Sequence, residues 1–383
     1  MRNFIKQTFA SLIGSLLGLF IFGGISTIGF FLLVFAAASS TDSEPKVKNS
    51  SMLVFDLSTQ ITDGKPDSGL ILQQALSGNY QKKMTLRSVL DALEKARTDK
   101  RIIGVYLDAR DASGAGSAGF ATLKEIRKAL RKFRDSGKKV IAYGVGWGEK
   151  EYYLSSVADE VIVNPFGGME INGLSSQPMF LAGALEKFGV GMQIVRVGKF
   201  KGAVEPLILK QLSPENREQI QKLLDDLWGE WRGTVGKSRK MTPQQLQTIA
   251  DTKGLLEADE AKTNRLVDKV AYFDEVVTEL KKLTKTDSEE KSFKQIDLNE
   301  YTQIIQRSLN KRNSENKIAV VYAEGAIVNG DGEGEEVGGN RFAKIFRSLR
   351  QDKDVKAVVL RVNSPGGSAT ASEIIQREIR LTR

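Results

Sequence analysis

At 383 residues the chain is long enough for about two domains behind a short anchor. Lys and Arg number 56 against 47 Asp and Glu, and the net charge of +9 is spread without the basic run that would mark a nucleic-acid stripe. Cys and His are both absent, which excludes disulfides, zinc sites built on those ligands, Cys nucleophiles and Ser-His-Asp chemistry. Ser, Thr, Lys, Tyr and carboxylates remain as catalytic groups.

Gln7 to Thr41 is a run of 35 residues without a charge, preceded by Arg2 and Lys6 and followed by Asp42 and Glu44. A bilayer crossing needs about 20 apolar residues, and positive charge ahead of the span places the N-terminus in the cytoplasm. Residues 1–44 are therefore expected to be a cytoplasmic stub and transmembrane anchor, with the body on the extracytoplasmic side. The competing reading is a cleaved signal peptide ending at Ala36–Ala38, but its apolar region should be only about 7–15 residues long.

Beyond the anchor, strands alternate with helices. A strand at 52–61 precedes an amphipathic helix that ends at Asp99-Lys100, a strand at Ile102–Leu107 and a small-residue loop to Gly116. A helix at Ala121–Asp135 and a strand at Lys139–Tyr143 follow, and then a strand at Met192–Val197. Ser213-Pro214 starts a helix, Ser as cap and Pro at its first position, and the set Leu223, Leu224, Leu227, Trp228 and Trp231 belongs in a core or subunit contact. Residues 260–277 look like a closing helix and strand edge, and 284–315 are polar enough to be a linker. After it come a strand at 317–328, a glycine-rich acidic loop at 325–339 that matches no calcium-loop spacing, a helix ending at Asp352-Lys353, a strand at Val355–Val362 and a helix at Ser372–Ile379.

The segment from Leu90 to Gly116 resembles that from Lys344 to Ala369, 253 residues later. The pattern implies an α/β fold with a largely parallel sheet, present in two copies, 50–283 and 316–383. So short a second copy would leave apolar faces open, giving the expectation of a truncated chain or one completed by another element.

Two loops are able to carry chemistry. Asn363-Ser364-Pro365-Gly366-Gly367-Ser368 joins a strand to a helix, and its paired glycines leave backbone N–H groups free of Cβ hindrance, as an oxyanion site requires. In Arg196–Pro206, RVGKFKGAVEP, Lys199 and Lys201 are candidate bases, and spacing alone does not separate them from each other or from solvated lysines.

GKFKGAVEP, LRVNSPGGSATASE and the anchor, in this order and duplicated frame, resemble bacterial signal peptide peptidase of the long form, also called protease IV. The resemblance implies a tandem crotonase/Clp-protease-like spiral of βα units and a Ser-Lys endopeptidase. It would act on cleaved signal peptides, assembled as a membrane-bound homo-tetramer without cofactor, metal or nucleic acid. It makes Lys201 the general base, surrounded by Arg196, Gly198, Ala203, Glu205 and Pro206, and puts Gly366 and Gly367 in the oxyanion loop. The Ser-Gly-Gly-Tyr-Trp type nucleophile motif of that family is not among these residues. Its first-copy slot holds Glu149, and the repeat offset puts the second-copy slot near position 400. Ser364, Ser368 and Ser372 read as turn and helix-cap residues. Two alternatives stay open: a catalytically inactive remnant or fragment, and a crotonase-like acyl-CoA enzyme.

Overall fold

The computed structural model describes residues 2–39, 46–65, 82–111, 118–309 and 316–383. The chain divides into an N-terminal unit, Met1–Lys46, and a body, Val47–Arg383. The first unit is a helix, α1 (Arg2–Ser39), whose Ser11–Phe30 stretch is long and apolar enough to cross a membrane. That stretch carries no charge on any face and so has no charged stripe to turn toward water.

The body is built on a six-stranded, all-parallel sheet. In chain order its strands are β1 (Ser51–Asp56), β4 (Ile102–Ala109), β5 (Lys139–Gly144), β6 (Glu160–Val163), β9 (Lys269–Val270) and β10 (Gln295–Asp297). Its spatial order is β10-β1-β4-β5-β6-β9. The central strands are near-continuous apolar runs because both faces are covered. Their period-two alternation sends Val105, Leu107, Val140 and Ala142 to one core, and Tyr106, Ile141 and Tyr143 to the other.

On the first face lie α2 (Leu86–Thr98) and α3 (Phe120–Arg134). Thr85 caps α2 by accepting the Ser88 N–H, and α2 buries Leu86, Val89, Leu93 and Ala96 at helical spacing. α3 buries Leu123, Ile126, Leu130 and Phe133, each such side chain contributing about 1.5–3 kcal/mol. The short α4 (Glu149–Ser155) extends this layer with Tyr152 and Tyr153 buried. On the second face α10 (Phe273–Thr284) contributes Val276 and Leu280.

Two short ladders flank the sheet. One pairs β2 (Gln60–Thr62) with β3 (Lys83–Thr85) in parallel; the other pairs β7 (Gly168–Ile171) with β8 (Gly254–Glu257) antiparallel. A long helix, α7 (Pro214–Arg239), is capped by Ser213 with Pro214 at its first position, and α8 (Pro243–Thr252) and α9 (Ala258–Thr263) follow it. Trp228 and Trp231 stack at 4.8 Å in the core, whereas Leu223, one turn earlier, faces solvent.

Two sequence expectations are corrected. Within 284–315, Gln295–Asp297 is the edge strand β10, paired with Met52–Val54, and Leu298–Leu309 is a helix, α11, packed on α2. Phe293, Ile296, Leu298, Tyr301 and Ile305 are buried there. So few apolar residues leave the average composition polar, yet their spacing completes one sheet edge and one helix stripe. The strand expected at Met192–Val197 makes no ladder, and Val195 and Val197 are 99% and 85% exposed. An apolar alternation becomes a strand only where another strand supplies hydrogen-bond partners.

Residues 316–383 add a second, two-stranded parallel sheet of β11 (Lys317–Glu324) and β14 (Val355–Asn363). Two helices, α12 (Gly339–Gln351) and α13 (Ala369–Thr382), pack together around Val321, Phe342, Phe346 and Ile375. β12 (Ile327–Val328) and β13 (Val337–Gly338) form a small parallel ladder in the glycine-rich stretch. This part is tied to the preceding one by polar links. The Glu324 carboxylate accepts the Asp63 and Gly64 N–H groups at 3.0 and 2.8 Å, and Arg361 donates to Asp63 at 2.7 Å and to Glu125 at 2.8 Å. The small-residue loop after β4 lies largely outside the described residues.

Candidate active site

An arm leaves the body at Asn172-Gly173 and returns at Ser213. Its root is held by Glu149, the first residue of α4, whose carboxylate accepts the Asn172 and Gly173 N–H groups at 2.8 and 3.1 Å. Gly173 takes φ +85°, a left-handed turn that glycine makes without steric cost. Trp231 donates its indole N–H to the Glu149 carbonyl at 2.7 Å, fixing α4 against α7. Glu149, the residue that the sequence reading aligned with a nucleophile position, here acts as a hydrogen-bond acceptor for a turn.

The arm carries α5 (Ala182–Lys187), a 3-10 turn at Gly202–Val204 and α6 (Glu205–Ile208), and from 175 to 201 is otherwise without regular structure and largely exposed. The Leu181 N–H donates to the Pro206 carbonyl at 2.7 Å, closing it on itself.

Lys201 sits at the bend of this arm, directly ahead of the 3-10 turn. Beneath it lies Glu205, fully covered, whose carboxylate gathers the Ser213 hydroxyl (2.6 Å), the Ser213 N–H (3.1 Å), the Asn216 amide (3.1 Å) and the Arg196 guanidinium (3.2 Å). Arg196 also donates to the Lys201 carbonyl at 3.4 Å. Gly202 packs so tightly on the Asn216 side chain that a Cβ there would overlap it. Together these groups fix the backbone of the lysine bend to the start of α7.

Hydrogen bonds, led by that from the Ser213 side chain, hold the Glu205 carboxyl down from its usual 4.5 to about 2. A depressed folded-state pKa gives stability that is present above the unfolded value and lost as pH falls through the folded one. The bend is therefore expected to loosen between about pH 4.5 and 2. Amide hydrogen exchange at Lys201–Gly202 should rise over that window, and Glu205→Gln should make the rise flat; an unchanged profile in Glu205→Gln would refute the assignment.

The two lysines, equivalent by spacing, are distinguished by geometry. Lys199 is engaged, its ammonium 3.7 Å from Glu215 and 5.4 Å from the centre of the Phe200 ring. Lys201 is exposed and its ammonium makes no ion pair or hydrogen bond among the described residues. A lysine serves as a base only when neutral, a state favoured by apolar or cationic cover. Val195, Val197 and Phe200, apolar and exposed close by in sequence, are the arm's own supply of such surface.

The glycine loop lies between β14 and α13. Ile327 donates to the Gly366 carbonyl at 2.9 Å and accepts the Ser368 N–H at 2.8 Å, so Gly367 pairs with Ile327 as in a parallel ladder. The intervening Gly367 N–H faces away from that pairing and has no acceptor among the described residues, whereas the Gly366 N–H is taken by the Ser364 hydroxyl at 3.1 Å. A Cβ on Gly367 would overlap the Ile327 backbone. The three nearby serines are in structural use. Ser364 closes the turn. Ser368 caps α13 by accepting the Ala371 N–H at 3.2 Å and bonds Asn329 at 2.6 Å, and Ser372 donates to the Ser368 carbonyl at 2.9 Å.

Among the described residues no hydrogen bond, ion pair or ring contact joins the Lys201 arm to the Gly366–Gly367 loop, and no group of three or more acidic side chains is placed to hold a metal ion. Ser213 and Asn216 are supporting residues that sequence reading missed as parts of the site; the only signal was the helix-cap pattern Ser213-Pro214, which named Ser213 for a different reason.

Residues 132–287 match the model of peptidase family S49. The whole chain is similar to Protease 4 of Salmonella typhi, 32% identical, covering 60% of that protein. Protease 4 of Haemophilus influenzae is 34% identical over 92% of this chain and 58% of its own length. The chloroplastic serine protease SPPA of Arabidopsis thaliana is 32% identical over 88% of this chain and 48% of its own. The chain thus spans about half to three-fifths of the length of these curated relatives.

Proposed function

We propose that the chain, whose residues 132–287 match peptidase family S49, is the base-bearing part of a membrane-anchored serine endopeptidase working by a Ser-Lys dyad. The observation that carries the reading is the exposed, unpaired Lys201 held at a bend by the Arg196–Glu205–Ser213 network, inside the matched domain. Residues 50–283 and 316–383 are tandem copies in this reading; α2 and α12 start 253 residues apart, at 86 and 339, as do β4 and β14, at 102 and 355. The attacking serine is expected near position 400, on a segment outside these residues.

Neutral Lys201 takes the proton from the serine hydroxyl as its oxygen attacks the peptide carbonyl. The oxyanion rests on the Gly367 N–H. When the C–N bond breaks, the lysine gives its proton to the leaving amine, and the acyl-serine is released by water activated in the same way. No cofactor or metal enters these steps. Substrates are apolar peptides, cleaved signal peptides foremost. They add as strands along residues 191–197, an exposed stretch that pairs with no strand among the described residues. Assembly as a homo-tetramer covers the exposed Phe188, Val195 and Val197 and supplies the apolar cover the base needs. α1 crosses the membrane with Arg2 and Lys6 on the cytoplasmic side.

The test is hydrolysis of an apolar signal-peptide sequence by a preparation that includes the serine-bearing segment, in detergent micelles. Turnover should persist in EDTA and stop when a fluorophosphonate labels one serine. Turnover abolished by EDTA, or indifferent to the fluorophosphonate, would sink the reading.

A further inference from the structure

Away from the arm, α3 and α7 enclose a cleft of about 200 Å³ whose walls are basic. From α3 it takes Lys124, Arg127, Lys128 and Arg131, spaced i, i+3, i+4 and i+7 on one face; Lys237 comes from α7. Like charges at i, i+4 repel along a helix, so this arrangement works against α3 unless something offsets it. One carboxylate lies in the cleft, Glu230, and it is already occupied: it holds Lys124 at 3.0 Å and accepts from Thr234 at 3.1 Å. Lys128, Arg131 and Lys237 have no ion-pair partner among the described residues.

At the cleft's inner end Arg127 is 6% exposed. Its guanidinium donates to the Tyr153 carbonyl, to the Ser156 hydroxyl at 2.8 Å and to the Ser238 hydroxyl at 2.6 Å, and it lies over the Tyr153 ring. Every one of these partners is neutral. Burial, aided by the charges of Arg131 and Arg134, pulls the guanidinium down to about 10. A buried cation ordinarily carries a carboxylate partner, because neutral acceptors satisfy its N–H groups without balancing its charge.

We propose that the cleft between α3 and α7 is a binding site for a phosphate-type anion, with the exposed Lys128, Arg131 and Lys237 closing on it above the buried Arg127. Guanidinium and ammonium groups converging from two helices match the tetrahedral oxygens of such a ligand. Liquid water occupies about 30 Å³ per molecule, so the cleft holds one phosphate group and a few waters. A free phosphate or phosphate ester and the headgroup of an anionic lipid share this chemistry.

The full chain in detergent micelles is titrated with inorganic phosphate, and its unfolding midpoint is followed by tryptophan fluorescence against sodium chloride of equal ionic strength. The expected result is a saturable rise of about 2–4 °C beyond the chloride control. It should be lost in the combined variant Lys128→Gln, Arg131→Gln, Lys237→Gln, whose exposed positions leave the core untouched. In a second arm the chain is placed in phosphatidylglycerol or phosphatidylcholine nanodiscs; a variant-sensitive rise there, without one from free phosphate, assigns the site to the lipid headgroup. No rise above chloride in either arm, or an equal rise in the triple variant, overturns the proposal.

Discussion

Lys201→Ala, in a preparation that includes the serine-bearing segment, should lower kcat for peptide hydrolysis by about 10²–10⁴-fold, the contribution typical of a positioned general base. KM should change little, because the arm's apolar binding surface survives the substitution. Lys201→Arg should be as inactive as Lys201→Ala, since a guanidinium does not deprotonate at working pH. Lys199→Ala should stay within about threefold of the parent, its ammonium being engaged with Glu215 rather than free for the site. The discriminating measurement is kcat and KM for all three variants, with circular dichroism as the check on folding. Activity retained in Lys201→Ala, or lost equally in Lys199→Ala, would remove Lys201 from the role of base.

Gly367→Ala is expected to cost about 10²–10³-fold in kcat, the range for loss of one oxyanion donor. The φ of +152° at Gly367 is one that L-residues rarely adopt, and the new Cβ would overlap the Ile327 carbonyl. The loop must therefore shift and carry the Gly367 N–H with it. The strain should also appear as about 1–3 kcal/mol of lost stability. Gly366→Ala is the control: its φ of +102° is unfavourable too, but its Cβ would meet open space. The prediction is therefore an order, Gly367→Ala worse than Gly366→Ala in both kcat and denaturant midpoint. Equal effects would mean that the loop's conformation matters and the Gly367 N–H does not.

These expectations rest on features of unequal legibility. The βα alternation, the Ser213-Pro214 helix start and the buried runs of β4 and β5 follow from periodicity and capping, which act over a few residues and are visible in any window of the chain. The same holds for the uncharged run that becomes α1 and for the loop Asn363–Ser368, whose glycines prove to sit at positive φ. Phe293, Ile296 and Tyr301 escaped that kind of reading. Their importance lies in meeting Met52–Val54 and α2, more than 190 residues away, and not in their polar neighbours.

Composition alone narrowed the catalytic groups of these residues: with no His and no Cys, Ser, Thr, Lys, Tyr and carboxylates remain, and two lysines stood in one motif. The tertiary structure separates the two by their partners, which no local pattern records. Glu215 reaches Lys199 from α7, while Lys201 is left free at a bend that Glu205 secures from below. It also decided that Glu149 pins a turn, that Met192–Val197 has no strand to pair with and that Arg127 is buried without a counter-charge. Each of these depends on groups brought together from distant parts of the chain, and local pattern carries no information about which distant groups will meet.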